Sequence, residues 1–440
     1  MKKLNAKPES VFLKLFFLFI SAAFLIAAVC MPDRDQMLQG LGAIALNPSK
    51  LSTNCFDLGG FAGTFLNAGL VALFSALLFF LPGAAANNVS TMAFLLTVGF
   101  STWGVNVVNM WFGIPGILLH CLVKKKQPGS MVAAMLFATG VAPFFSEFIF
   151  RYPGTEVAFS FTGLLLALVV GTVVGFFLPA GLAHAPNVHK GFNHFSAAVP
   201  VGMTAFALQG IFFKAPGVEL PSAVTTLEAA SAPIVNIFCC TLFGLCIIGA
   251  LLMGCTPKDY VNLLKDPGKG ISFSSKYGNA TFLMNVGVYG LFILGYYNLI
   301  GVGFNAVTFG LVFCMLCCCN SGSHPLNVLP IVAGYAVASL LFGWVSGVTG
   351  GTFAQALSAQ AIAVGLCFAN GLSPISGVYG FGWGMVAGML HYCMVTTVPN
   401  LHGGFCLYNG GFTSAFVCLL MVPCLEGYIK TKAEKKAAAK

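Results

Sequence analysis

The chain is poor in charge. Only 8% of its 440 residues are Asp, Glu, Lys or Arg, against 58% hydrophobic and 13% aromatic, which is too little polar surface to coat a soluble globule. The long apolar runs carry no central carboxylate, and Asp57 and Glu147 come nearest. An ion at mid-membrane costs at least ~2.5 kcal/mol, so a pump driven by an intramembrane Asp or Glu is not expected. Also missing are a nucleophile, base and orienter at usable spacing, a zinc pattern and a phosphate loop. Sixteen cysteines are present, densest in "CMLCCCN" (Cys314 and Cys317 to Cys319), with no second pair or histidine at ligand spacing. Inside an apolar run they read as small hydrophobes. Neither a metal nor a cofactor is expected.

What is present reads as an all-α integral membrane protein of about ten to fourteen transmembrane helices, at roughly 20 apolar residues per span. The net charge of +9 is no sign of nucleic acid. The lysines flank spans, at Lys2, Lys3 and Lys7, Lys124 to Lys126, and Lys430 to Lys440, which is the positive-inside pattern. A multi-pass membrane protein with both termini cytoplasmic is the expectation. Residues 1 to 31 resemble a signal peptide but lack a small-x-small cleavage site, and are expected to stay as the first span.

The chain is one unit written twice. "TFLNAGLVALF" (64 to 74) meets "FLMNVGVYGLF" (282 to 292), and "STWGVNVVNMWFGIPG" (101 to 116) meets "CNSGSHPLNVLPIVAG" (319 to 334), both at a shift of 218. "ATGVAP" (138 to 143) matches "ANGLSP" (369 to 374), and "APNVHKGFNHFSAA" (185 to 198) matches "VPNLHGGFCLYNGG" (398 to 411) at a shift of 213. The expected organisation is repeat one at 10 to 213, a linker at 214 to 228, repeat two at 229 to 429, and a basic cytoplasmic tail at 430 to 440. Lysines do not follow the duplication. Lys124 to Lys126 align with the uncharged 342 to 344, whereas the loop at 256 to 276 has four lysines and its equivalent is acidic. That pattern predicts inverted-topology repeats with an odd number of spans each.

The short apolar pieces at 88 to 123 and 131 to 146, with their copies, are candidates for broken or re-entrant helices, tolerated only inside protein or beside a water-filled cavity. In "NSGSHPLN", Ser323 is the expected N-cap with Pro325 in the first turn, and in "LSPISG" Ser373 caps with Pro374 following. Paired breaks point to a transport site. Candidate substrate-binding residues are therefore Asn67, Asn109, Asn285, Ser323, His324, Asn327 and Ser373. The competing reading is that such groups only join helices. His189, His402, Tyr408 and Asn409 are assigned to a gate or vestibule, with a purely structural histidine pair as the alternative. His391 aligns with Leu178 and His324 with Asn106. About 18 residues around "SEFIFRYPGTEVAFSFTG" occur in repeat one alone; Glu147, Arg151 and Glu156 there are expected on a solvated face.

The motif HGGxxLYNxGF, here His402, Gly403, Gly404, Leu407, Tyr408, Asn409, Gly411 and Phe412, resembles that of a bacterial polytopic membrane family defined as domain of unknown function 1576. So does "NSGSHPLNVLP" upstream. The resemblance covers nearly the whole chain, implies a tandem domain, and offers no substrate; Cys406 stands where a polar residue such as Asn is expected. The functional expectation is a secondary carrier of a small polar solute or ion, set in the bilayer and able to form homo-oligomers. The alternatives are a passive channel of urea-channel-like layout and a membrane-embedded enzyme.

Overall fold

The computed structural model describes residues 2–48, 53–221, 231–353 and 355–438. The expected linker runs out of the described residues at 222, and residues 439 and 440 of the tail also lie outside them. Among the described residues every regular element is helical, and nine helices are long and apolar enough to cross a membrane.

The main helices of the first half are α1 (Glu9–Cys30), α2 (Cys55–Leu78), α3 (Asn88–Phe100), α4 (Ile114–Lys124), α5 (Pro128–Phe150), α6 (Phe161–His184) and α7 (Ala198–Gln209). The second half restates them in order as α8 (Ala232–Leu252), α9 (Asn279–Leu299), α10 (Ala306–Leu316), α11 (Pro325–Thr349), α12 (Gln360–Tyr379), α13 (Phe381–Val395) and α14 (Asn409–Tyr428). Helices α1 and α2 pack together as α8 and α9 do, and α4 with α6 as α11 with α13. Large apolar side chains face outward, including Leu122, Phe177, Ile237 and Leu340, a surface that apolar solvent satisfies and water does not.

Local chemistry is duplicated atom by atom. Asn87 caps α3 by accepting from Ser90 N at 3.0 Å, and Asn305 caps α10 by accepting from Thr308 N at 3.0 Å. Gly60 and Gly278, 218 positions apart, both take positive φ, at 66° and 85°. Each kinks the start of its span, a conformation that costs a residue with a Cβ. The N–H exposed two residues later is accepted by Asp33 at Ala62 and by Asn5 at Ala280, both at 3.0 Å.

At about 1.5 Å per residue, α3 (13 residues) and α10 (11 residues) reach only about 20 and 16 Å, short of the ~30 Å hydrocarbon core. They lie together at the centre with their ends exchanged. Thr102, just past α3, donates to Ala306 O at the start of α10 (2.7 Å), and Asn320, just past α10, donates to Thr91 in the first turn of α3 (3.2 Å). The two short helices are thus antiparallel. The spans α5 and α12 are the most deeply enclosed, each interrupted by a 3-10 turn, at Ala138–Val141 and Asn370–Leu372.

One end of the bundle gathers the N-terminal segment and most of the lysines. Lys14 donates to Ala84 O, Ser10 accepts from Ala86 N, and Glu9 accepts from Ser272 and Ser274. Lys190 pairs with Glu426, Lys269 lies over the Phe192 ring, and Lys276 pairs with Asp266.

Candidate functional site

The breaks after α3 and α10 are held by asparagines. Asn67 donates to Ser101 O and Val105 O (2.7 and 3.0 Å), and Asn285 donates to Cys319 O and Ser323 O (2.8 and 3.0 Å). Donors and acceptors are related by the same shift of 218. Asn109 donates to Gly104 O at 2.9 Å and Asn327 to Gly322 O at 2.8 Å, while their Oδ1 atoms accept from Asn106 N and His324 N. These four side chains are buried and close the backbone groups that a break leaves open.

Two expected caps are displaced. His324, not Ser323, is the N-cap of α11; it is extended (φ −148°, ψ 165°) and its Nδ1 accepts from Asn327 N. Ser323 cannot serve, because its carbonyl is taken by Asn285 and its hydroxyl faces Ser373 at 3.1 Å. Ser373 is itself the first residue of a helical stretch capped by Leu372, with its hydroxyl turned to Ser323. Glu147 is not on a solvated face. It is 2% exposed and receives two donors from Arg151.

The histidine loops are also copies. His189 Nδ1 accepts from Gly191 N and its Nε2 faces Ser196 Oγ at 3.0 Å; His402 Nδ1 accepts from Cys406 N and its Nε2 faces Asn409 Oδ1 at 2.9 Å. Since Nδ1 accepts in both, Nε2 carries the proton and donates. Ser196 and Asn409 are related by the shift of 213 that relates the histidines. Tyr408 is fully buried, edge-on to Phe100 at 5.0 Å, and its hydroxyl has no partner among the described residues. His391 joins Tyr335 to Gly410 O (2.6 and 2.8 Å).

Two cavities open at the lysine-rich end. One, of about 820 Å³, is lined by His324, Asn327 and Ser376 with Lys265, Asp266, Lys432 and Lys436, all from the second half. The other, of about 600 Å³, is lined by both halves: Asn88, Met92, Phe137, Leu182, His189, His194 and Ser196 from the first, Ile271, Ser272 and Ser321 from the second. Ser321 Oγ and His194 Nε2 are buried without a hydrogen-bond partner among the described residues. Of the sequence candidates, His324 and Asn327 line the first cavity and His189 the second, whereas Asn67, Asn109, Asn285, Ser323, Ser373, His402, Tyr408 and Asn409 line neither. Sequence reasoning missed Ser321 and His194. No signal marks them, because neither is repeated: the aligned residues are Trp103 and Leu407.

Trp103 and Leu407 are fully buried, and Leu407 packs directly over Gly104. Among the described residues, no group of three or more His, Cys, Asp and Glu side chains is placed to hold a metal ion.

The fold and its duplicated breaks define a multi-pass helical membrane protein built from a tandem repeat. The family described as "Protein of unknown function (DUF1576)" matches residues 33–214 and again residues 252–427, and the chain belongs to it. Neither the curated proteins nor the solved structures contain a match.

Proposed function

We propose that this protein is a transporter, a secondary carrier moving a small polar solute along a pathway between two repeats of opposite orientation in the bilayer. The observation that carries this reading is the antiparallel contact of the equivalent helices α3 and α10, with a cavity lined by both halves beside them at the lysine-rich end. Paired broken helices at a repeat interface are where carriers place their sites. The lysine-rich end is assigned to the cytoplasm by the positive-inside rule, with both termini there and the protein in the bacterial inner membrane.

The test is uptake into proteoliposomes holding the purified protein, across a panel of neutral, anionic and cationic metabolites. Saturable flux of at least one solute, absent from empty liposomes, is the expected result. Flux equal to that of empty liposomes across the panel, with correctly folded and inserted protein, sinks the reading.

A further inference from the structure

We infer that the cavity shared by the two halves binds a small solute of zero net charge that carries both hydrogen-bonding and apolar groups, with Ser321 and His194 as its polar contacts. This rests on the carrier reading and names the substrate class of its site.

Three observations carry it. Buried side-chain polar atoms normally have partners, and an unpaired one costs about 1–3 kcal/mol; among the described residues eight such atoms lack one, and of these Ser321 Oγ and His194 Nε2 are the two that line the shared cavity. Both line a space of about 600 Å³, within the range of small-molecule sites. The other polar groups there are engaged: His189 with Gly191 N and Ser196, Asn193 with Phe195 N, and Ser272 with Glu9. A hydroxyl and a neutral imidazole remain to meet a ligand, and each can donate or accept.

The charge of the ligand follows from the walls. No Lys, Arg, Asp or Glu lines this cavity. An ion entering it would lose hydration with no opposite charge to replace it. Met92, Phe137 and Leu182 line the same cavity and add apolar surface to the polar groups, which suits an amide or alcohol with a short hydrocarbon part.

The duplication separates architecture from binding. Side chains that hold the breaks occur twice, as Asn67 with Asn285 and Asn109 with Asn327 do. Ser321 and His194 are replaced by Trp103 and Leu407 in the other copy; the Trp103 Nε1 also lacks a partner among the described residues, but neither replacement lines either cavity. A device needed to fold each repeat would be present in both.

The test uses full-length protein in which the exposed Cys30, Cys240, Cys393 and Cys424 are replaced by serine. Into it go Ser321→Cys and His194→Cys separately, with Leu407→Cys as the control. The rate of N-ethylmaleimide labelling is read with and without three probes of equal length: valeramide, valerate and pentylamine. Both cavity variants should label and the control should not. Valeramide at about four times its Kd should slow labelling about fivefold by mass action, with valerate and pentylamine at the same concentration leaving it unchanged. Equal or better protection by valerate or pentylamine overturns the assignment of charge. Absence of labelling in both folded variants, or of protection by any probe, overturns the site. Neither result touches the uptake measurement, and absence of uptake with valeramide protection would instead retire the carrier reading.

Discussion

The backbone N–H of His194 donates to the carbonyl of Gly371 across the interface between the halves, at 2.9 Å. Its copy is the bond from Leu407 N to Gly140 O, also 2.9 Å. Each histidine loop is thereby tied to the 3-10 turn inside the broken span of the other half, so the turns in α5 and α12 join the halves in addition to the contact of α3 with α10.

Both acceptor glycines are in tight quarters. A Cβ at residue 371 would collide with the Phe195 ring and one at residue 140 with the Tyr408 ring. Gly371→Ala and Gly140→Ala should each lower stability by about 1–3 kcal/mol through overpacking, read as a fall in Tm in detergent. Unchanged Tm in both variants would mean that the turns do not set the interface.

Asn67→Ala and Asn285→Ala each strip two buried carbonyls of their donor. At about 1–3 kcal/mol per unsatisfied group, both should fall below parent stability by similar amounts. A large cost in one and none in the other would break the equivalence of the two clamps.

For His402 and Asn409, a double-mutant cycle with His402→Ala and Asn409→Ala should show coupling of about 0.5–1.5 kcal/mol in thermal or denaturant unfolding. The cycle of His189→Ala with Ser196→Ala should match it in sign. Strict additivity in both would remove the structural role of the imidazoles.

The loop at the lysine-rich end gives a pH dependence. Burial pushes the Asp266 carboxyl up, but bonds from Lys276, Gly268 N and the Tyr277 hydroxyl outweigh it and hold the group below its ordinary value. The Lys276 ammonium is raised, chiefly by its hydrogen bond to Asp266. A depressed carboxyl stabilises above its unfolded pKa of about 3.9, and that contribution is lost as pH falls through the lower folded value. The raised ammonium contributes below its unfolded pKa of about 10.4 and loses that contribution as pH rises through the higher folded value. Asp266→Asn should therefore cost about 1–3 kcal/mol at neutral pH, with the gap to parent narrowing at the acid extreme. A gap independent of pH would show that the loss is one of packing.

Much of the architecture could be read from residue order, because a duplicated chain repeats its polar punctuation. Asn67 with Asn285, Asn109 with Asn327 and His189 with His402 pair by register alone; the asparagines make equivalent bonds to backbone carbonyls, and the histidines share the Nε2 partner position but differ in the N–H that Nδ1 accepts. Their tasks were less legible. Asn109 looks like a solute contact in sequence and proves to be engaged with backbone, since a break in apolar surroundings must satisfy its own carbonyls first. The capping by His324 was hidden because serine is the common cap, and only the bonds already made by Ser323 exclude it.

The sequence by itself determined that the chain lives in a bilayer, that it is two copies of one unit, and where each unit is interrupted, since charge content, apolar run length and repeat register are local or periodic properties. Tertiary structure alone decided which polar groups are spent and which are free. Whether Ser321 and His194 have a partner depends on what the folded chain brings within hydrogen-bond reach, and no window of sequence contains that information.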